Sequence, residues 1–371
     1  MQDFDDIRPY TDDEIPTAML NIANWELFPQ IIRFIYPDGD IEETRRRLLS
    51  ITSIHQFQAT FMNDAIRRIV TETTDGFTFS GIHHLRRGMP YLFISNHRDI
   101  TLDAFLLQHL LMEHRGTTSH IVFGQNLLSM PIMEVLFRSN KLIRMERGGT
   151  PRAFYNSLQH LSDYLNSLVV EKRQSVWIAQ KNGRAKDGRD TTAPAMIKML
   201  TLGGNGDSLQ TLANLHIVPM AVSYEWDPCD TMKANELMLS QSGSYTKAPD
   251  EDLRSVVSGI IGHKGHVHLA IGKPLSLRDL QPPAGTDIAE HVAAVLDHDI
   301  QHAYRLMPSN YAAYSILNGT STPLHCTQRT LDTLKARATG LKPEARHLLY
   351  EAYANPVVAA RGNGKNSKAK N

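Results

Sequence analysis

Cysteine is scarce: Cys229 and Cys326 are the only two in 371 residues. Placed far apart, they build neither a disulfide framework nor a thiolate metal site, and they fit a reducing compartment. Net charge is also missing, with 39 basic residues against 39 acidic ones. A general nucleic-acid binder would carry a basic excess, so no nucleic-acid partner is expected. No run approaches the roughly 20 apolar residues that span a bilayer; the longest candidate, residues 104–112, is broken by Gln108 and His109. The opening MQDFDDIRPYTDDE holds six acids and one arginine, so no signal peptide is expected. A G-x-S-x-G elbow, a P-loop and a G-x-G-x-x-G turn are all lacking, which argues against the usual serine hydrolases, nucleotide triphosphatases and dinucleotide enzymes. These absences leave a cytoplasmic protein that is soluble or touches a membrane only at its surface.

What is present is ordinary globular material, 42% hydrophobic and 21% charged, in a chain long enough to bury a sizeable core. Residues 15–74 read as helical. Trp25, Phe28, Ile31, Ile32 and Ile35 form one stripe, and Ile54, Phe57, Phe61, Ala65 and Ile69 form another, with a turn at residues 37–40 between them. The first stripe fits either core packing or a membrane interface. After Asp75-Gly76 the pattern alternates. Strands are expected at 77–80, 91–95, 120–123, 141–145, 175–179, 217–224 and 267–271, with helices at 102–114, 131–137, 152–168 and 194–202 between them. The fold class expected is α/β, a mainly parallel mixed sheet flanked by helices. The division expected is an N-terminal helical region (1–75), an α/β core (76–275), a C-terminal helical region (276–360) and a disordered basic tail (361–371).

In an α/β sheet, ligands gather where strands end and helices begin. One such junction reads YLFISNHRDITLD, an apolar strand that delivers Asn96, His97, Arg98 and Asp99 to its carboxyl end, with Asp103 in the first turn of the following helix. A histidine there can serve as a general base if a carboxylate holds its other ring nitrogen. Asp99 is close along the chain and suits a helix cap, whereas Asp103 can face back toward His97. The plain alternative is a capped helix beside a polar loop histidine.

Charge clusters in two places. Five cations (Arg138, Lys141, Arg144, Arg147, Arg152) stand against Glu146, and four (Lys181, Arg184, Lys186, Arg189) against Asp187. Beside strand ends, such patches suggest an anion site, and the planar fork of arginine suits phosphate. Arg144, Arg147 and Arg184 are the expected phosphate ligands; Lys141, Lys186 and Arg189 are expected on solvated surface. His263, His266 and His268 form an HxxHxH pattern, but the local sequence supplies no cysteine or carboxylate to complete a zinc site, so no metal is expected.

The segment SNHRDITLDAFLL resembles the histidine-and-aspartate box of the glycerolipid acyltransferases, with five residues between His97 and Asp103 where most members have four. Three later segments resemble the family's other boxes in the same order. NKLIRMERGG, ending near Arg147, is similar to the second box. VWIAQKNGRAKDG is similar to the third, with Gly183 and Arg184 matching and Lys181 or Asn182 standing where the family has glutamate. IVPMAVSYE is similar to the fourth. The resemblance spans residues 77–225 and says little of the helical ends. It implies an O-acyltransferase of phospholipid biosynthesis acting at the cytoplasmic face of a membrane, with acyl-CoA or acyl-carrier protein as donor and a glycerophosphate or lyso-lipid as acceptor. His97 and Asp103 would be catalytic, Arg144, Arg147, Gly183 and Arg184 would bind substrate, and no cofactor is implied. Asn96, Arg98, Asp99 and Lys181 are further candidates. The departures in the third box keep open an amino-acid lyso-lipid as acceptor, and a catalytically silent lipid-binding or scaffold protein is the reading from another class.

Overall fold

The computed structural model describes residues 3–124, 131–146, 148–204, 206–319 and 325–367. Seven short runs rich in Val, Ile, Leu and Phe form β1 (Gly76–Ser80), β2 (Leu92–Ser95), β3 (His120–Gly124), β4 (Leu142–Met145), β5 (Val176–Ala179), β6 (Ile217–Tyr224) and β7 (His266–Ile271). They make one sheet in the order β1-β7-β6-β2-β5-β3-β4. All neighbours run parallel except β6 and β7, which are antiparallel, so β1 and β7 run against the other five strands. The architecture is thus α/β, a mostly parallel mixed sheet with helices before and after it.

Period-2 alternation sends successive residues to opposite faces, and both faces are covered. On one face Leu92, Ile94, Val176 and Ile178 pack with helices Pro151–Asn166, Pro194–Leu202 and Ile288–Ala303 through Leu165, Ile197 and Val292. On the other, Phe93, Trp177, Met220 and Tyr224 pack under helix Leu102–Arg115 through Ala104, Leu107 and Leu111. Helix Pro151–Asn166 starts as the sequence indicates, with Thr150 accepting from Ala153 N and Pro151 in the first turn.

The N-terminal helices enclose a core of their own. Of the Trp25–Ile35 stripe, Phe28 and Ile32 are buried there with Phe57 and Phe61, while Trp25, Ile31 and Ile35 are half-buried. Within the α/β core, the helices Ser208–Asn214, Asp230–Gln241 and Glu251–Ile261 were not expected from the sequence. The last helix runs from Pro343 to Ser367, past residue 361 where a disordered tail was expected to begin. No helix among the described residues is long and apolar enough to cross a membrane.

Candidate active site

The chain leaves β2 at Ser95 and turns through residues 96–101 before the helix at Leu102. Asn96 anchors this turn to β6: its amide nitrogen donates to Val222 O (3.0 Å) and its oxygen accepts from Val222 N (2.8 Å). His97 then projects beside Asp103, with Nδ1 2.9 Å from Asp103 Oδ2. The same oxygen accepts from the backbone N–H groups of Arg98 (2.6 Å) and Asp99 (2.9 Å), and the other oxygen accepts from the Tyr224 hydroxyl (2.9 Å). Asp103 is fully buried, while the His97 side chain is 15% exposed. The longer spacing in the box is therefore compatible with a His97–Asp103 pair, because the first helical turn presents Asp103 back toward the loop.

Asp99 takes the other role. Its Oδ1 accepts from Thr101 N and Leu102 N, both at 2.9 Å, and so satisfies N–H groups at the helix start from two residues before the N-cap, Thr101. Its Oδ2 is buried without a partner, and burial together with the Asp103 charge pushes its pKa up.

His97 lines a cavity of about 330 Å³. One part of the wall is apolar, with Val122, Met145, Leu158, Ile178 and Met199. Another is charged, with Lys181, Arg184, Lys186 and Lys247 near Glu236, Glu251 and Asp252. With Nδ1 engaged by Asp103, Nε2 is the nitrogen left for the cavity. Trp177 stands edge-on to the imidazole, with ring centroids 5.8 Å apart, and is fixed by an Nε1 bond to Ser95 Oγ (3.0 Å).

The loop after β5 forms the charged wall, and it is tied to the His97 turn. Gln180 N donates to Ser95 O (2.8 Å) and Ala185 N to His97 O (2.7 Å). Gly183 has φ +78°, a left-handed conformation that lets the chain reverse before Arg184. Gly188 has φ +74°, and a Cβ there would meet Ala352 O at 1.9 Å, so the loop also seats on the last helix. Arg184 donates to Ser255 Oγ (3.2 Å) on helix Glu251–Ile261, and its Nη1 is buried with no partner. Lys181 donates to Arg189 O and Thr191 Oγ1.

Other expected residues fall elsewhere. Arg98 is half-buried, off the cavity wall, and ion-paired to Asp190 (2.6 Å). Burial works against its charge, but Asp190 outweighs that and holds its pKa above the ordinary value. Arg144, an expected substrate ligand, is not among the residues that line this cavity. Alternation on β4 turns Met145 into the cavity and Arg144 to the opposite face, where it lies near Glu146 (3.5 Å). Arg147 lies outside the described residues. Lys186 is not on solvated surface; it lines the cavity in an ion pair with Glu236. Lys141 is half-buried too, and burial pushes its ammonium down to about 8.

The expectation that no carboxylate stands near His263 and His266 is also corrected. Asp75, just before β1, and Glu225, just after β6, stand close by, and ligand atoms of Asp75, Glu225 and His266 lie within 4.8 Å of one another. They are engaged as two ion pairs, His266–Glu225 (2.9 Å) and His263–Asp75 (3.0 Å), and His268 turns instead to Thr78 and Ser80.

Two residues escaped the sequence reading. Asp190 binds both Arg98 and Asn96 (3.2 Å), and Tyr224 binds Asp103; their partners lie some 90 to 120 positions away in the chain. Tyr224 ends the strand that resembles the fourth box, which is the one local signal it carries.

Comparison with curated proteins gives no match. Among solved structures, the 1-acyl-sn-glycerophosphate (LPA) acyltransferase PlsC from Thermotoga maritima is similar at 12% identity and TM-score 0.38, covering 78% of this chain and 94% of that one. Residues 76–223, which hold β1 to β5, β6 up to Ser223, the His97 turn and the loop bearing Arg184, match the family model described as Acyltransferase. Over those residues the chain is similar to the acyltransferase family.

Proposed function

We propose that the protein transfers a fatty acyl group from a thioester donor to a hydroxyl of a glycerophosphate or lysophospholipid. The observation that carries this reading is the His97–Asp103 pair opening on a cavity lined by apolar side chains and by charged groups of both signs, Arg184 among them. His97 Nε2 takes the proton of the acceptor hydroxyl as its oxygen attacks the thioester carbonyl. The carbon–sulfur bond then breaks and the thiolate leaves with the proton held on His97. Asp103 keeps Nδ1 protonated and stabilises the charged imidazole. No acyl-enzyme is required in this reading, and no serine or cysteine is among the described residues that line the cavity.

Arg184 is the group suited to the acceptor's phosphate, since its Nη1 has a buried, unused donor. Arg144 has no part in this reading. A second acceptor class is favoured by a separate observation: Glu236, Glu251 and Asp252 line the same cavity, and carboxylates suit an ammonium-bearing amino-acid lyso-lipid. Acyl-CoA and acyl-carrier protein both fit as donors. The test is transfer of a labelled acyl group from each thioester to glycerol 3-phosphate, lysophosphatidate and amino-acid lyso-lipids. Preference for the phosphate acceptors supports the first reading, and preference for the amino-acid lipids the second. Transfer to none of them contradicts both.

A further inference from the structure

We infer that Tyr224 is a positioning residue that acts on His97 through Asp103; the role rests on the reading of His97 as general base. Asp103 is a carboxylate with no exposed surface, and a buried charge is tolerable only when donors surround it. Three donors, His97 Nδ1 and the N–H groups of Arg98 and Asp99, converge on Oδ2. At Oδ1, Tyr224 is the donor among the described residues. Without it Oδ1 would lie bare in an apolar pocket, and the carboxylate could turn about its last torsion and carry Oδ2 off the imidazole.

The topology explains why a residue so distant in sequence arrives here. Ser95, the last residue of β2, sits opposite Met220, so β6 continues four residues past the end of β2. That overhang runs beside the turn that holds His97. Asn96 clamps Val222 from both sides and so fixes the register two residues before Tyr224. Alternation puts Tyr224 on the face covered by helix Leu102–Arg115, the helix that carries Asp103. Burial, then the adjacent Asp103 charge, pushes the phenol well above its ordinary pKa, so the hydroxyl stays a donor over the working pH range.

Tyr224→Phe removes the hydroxyl and keeps the ring. It should lower kcat roughly ten- to a hundredfold, the effect of leaving one buried acceptor unpaired, with little change in the acceptor KM. The carboxylate charge, no longer shared with the phenol, should hold the proton of His97 more strongly and move the ascending limb of the pH–kcat profile to higher pH. In the double variant Tyr224→Phe with Asp103→Asn, the losses should not multiply, because both act through one contact. NMR of the full chain with isotope-labelled histidine, assigned through His97→Gln, reads the same relay without turnover. The titration of the His97 imidazole should move in Tyr224→Phe. An unchanged pH limb and imidazole titration, or a double variant that loses the product of the single effects, would overturn the role. If the wild type transfers no acyl group, the proposed function fails, and the imidazole titration still decides for or against the relay.

Discussion

Asp103→Asn removes a charge while leaving a shape that the pocket can accept. An asparagine oxygen placed where Oδ2 now lies still accepts from His97 Nδ1 and from the N–H groups of Arg98 and Asp99. The amide nitrogen then faces Tyr224, whose hydroxyl can rotate and accept instead of donating. The fold should therefore survive, with a melting temperature close to wild type. Catalysis should not: a neutral amide cannot stabilise the imidazolium, and the expected loss in kcat is roughly 10²- to 10⁴-fold.

Asp99→Asn is the control. Asp99 Oδ1 accepts from the N–H groups at the helix start and Oδ2 has no partner, so the amide preserves those bonds and displaces nothing bonded. It also removes a buried charge whose pKa is raised by burial and by Asp103. A carboxylate with a raised folded-state pKa favours the folded state below its unfolded pKa, and that contribution is lost as pH rises through the folded value. Asp99→Asn should thus be more stable than wild type near neutrality, with the difference shrinking as pH falls into the carboxylate range. Steady-state transfer rates and thermal melts across pH read both variants. If Asp99→Asn proved the more damaging to turnover, the partner role would belong to Asp99 and the reasoning here would be refuted.

Arg184→Ala should raise the KM for a phosphate-bearing acceptor roughly ten- to a hundredfold, the worth of one charge-assisted contact. The donor KM should barely move; an effect on the donor alone would place Arg184 beside the phosphates of coenzyme A instead. Membrane-associated protein should be released by high salt or alkaline carbonate without detergent, since no described helix is long and apolar enough to span a bilayer. Retention in the pellet after carbonate would contradict a peripheral attachment.

Much of this was legible in the chain because the signals are local. Each of the seven strands is a short apolar run bounded by turn or cap residues, and Thr150-Pro151 marks a helix start. His97 and Asp103 share one segment, so the fold needs only a single helical turn to join them. What was not legible depends on distant partners. Nothing in residues 266–271 announces that β7 inserts between β1 and β6, parallel to the first and antiparallel to the second. Asp190 and Tyr224 matter only because the sheet order lays β6 and the loop after β5 beside the end of β2. Charge counting also ignores strand parity, and on β4 it is Met145 rather than Arg144 that lines the cavity.

The most direct test of the central claim compares wild type with His97→Ala on whichever lyso-acceptor takes a labelled acyl group from a thioester donor. His97 sits in a turn rather than in a packed core, so the variant should fold and melt as the wild type does. The account predicts a loss in transfer rate of roughly 10²- to 10⁴-fold. Near-normal turnover by a folded His97→Ala protein would contradict it.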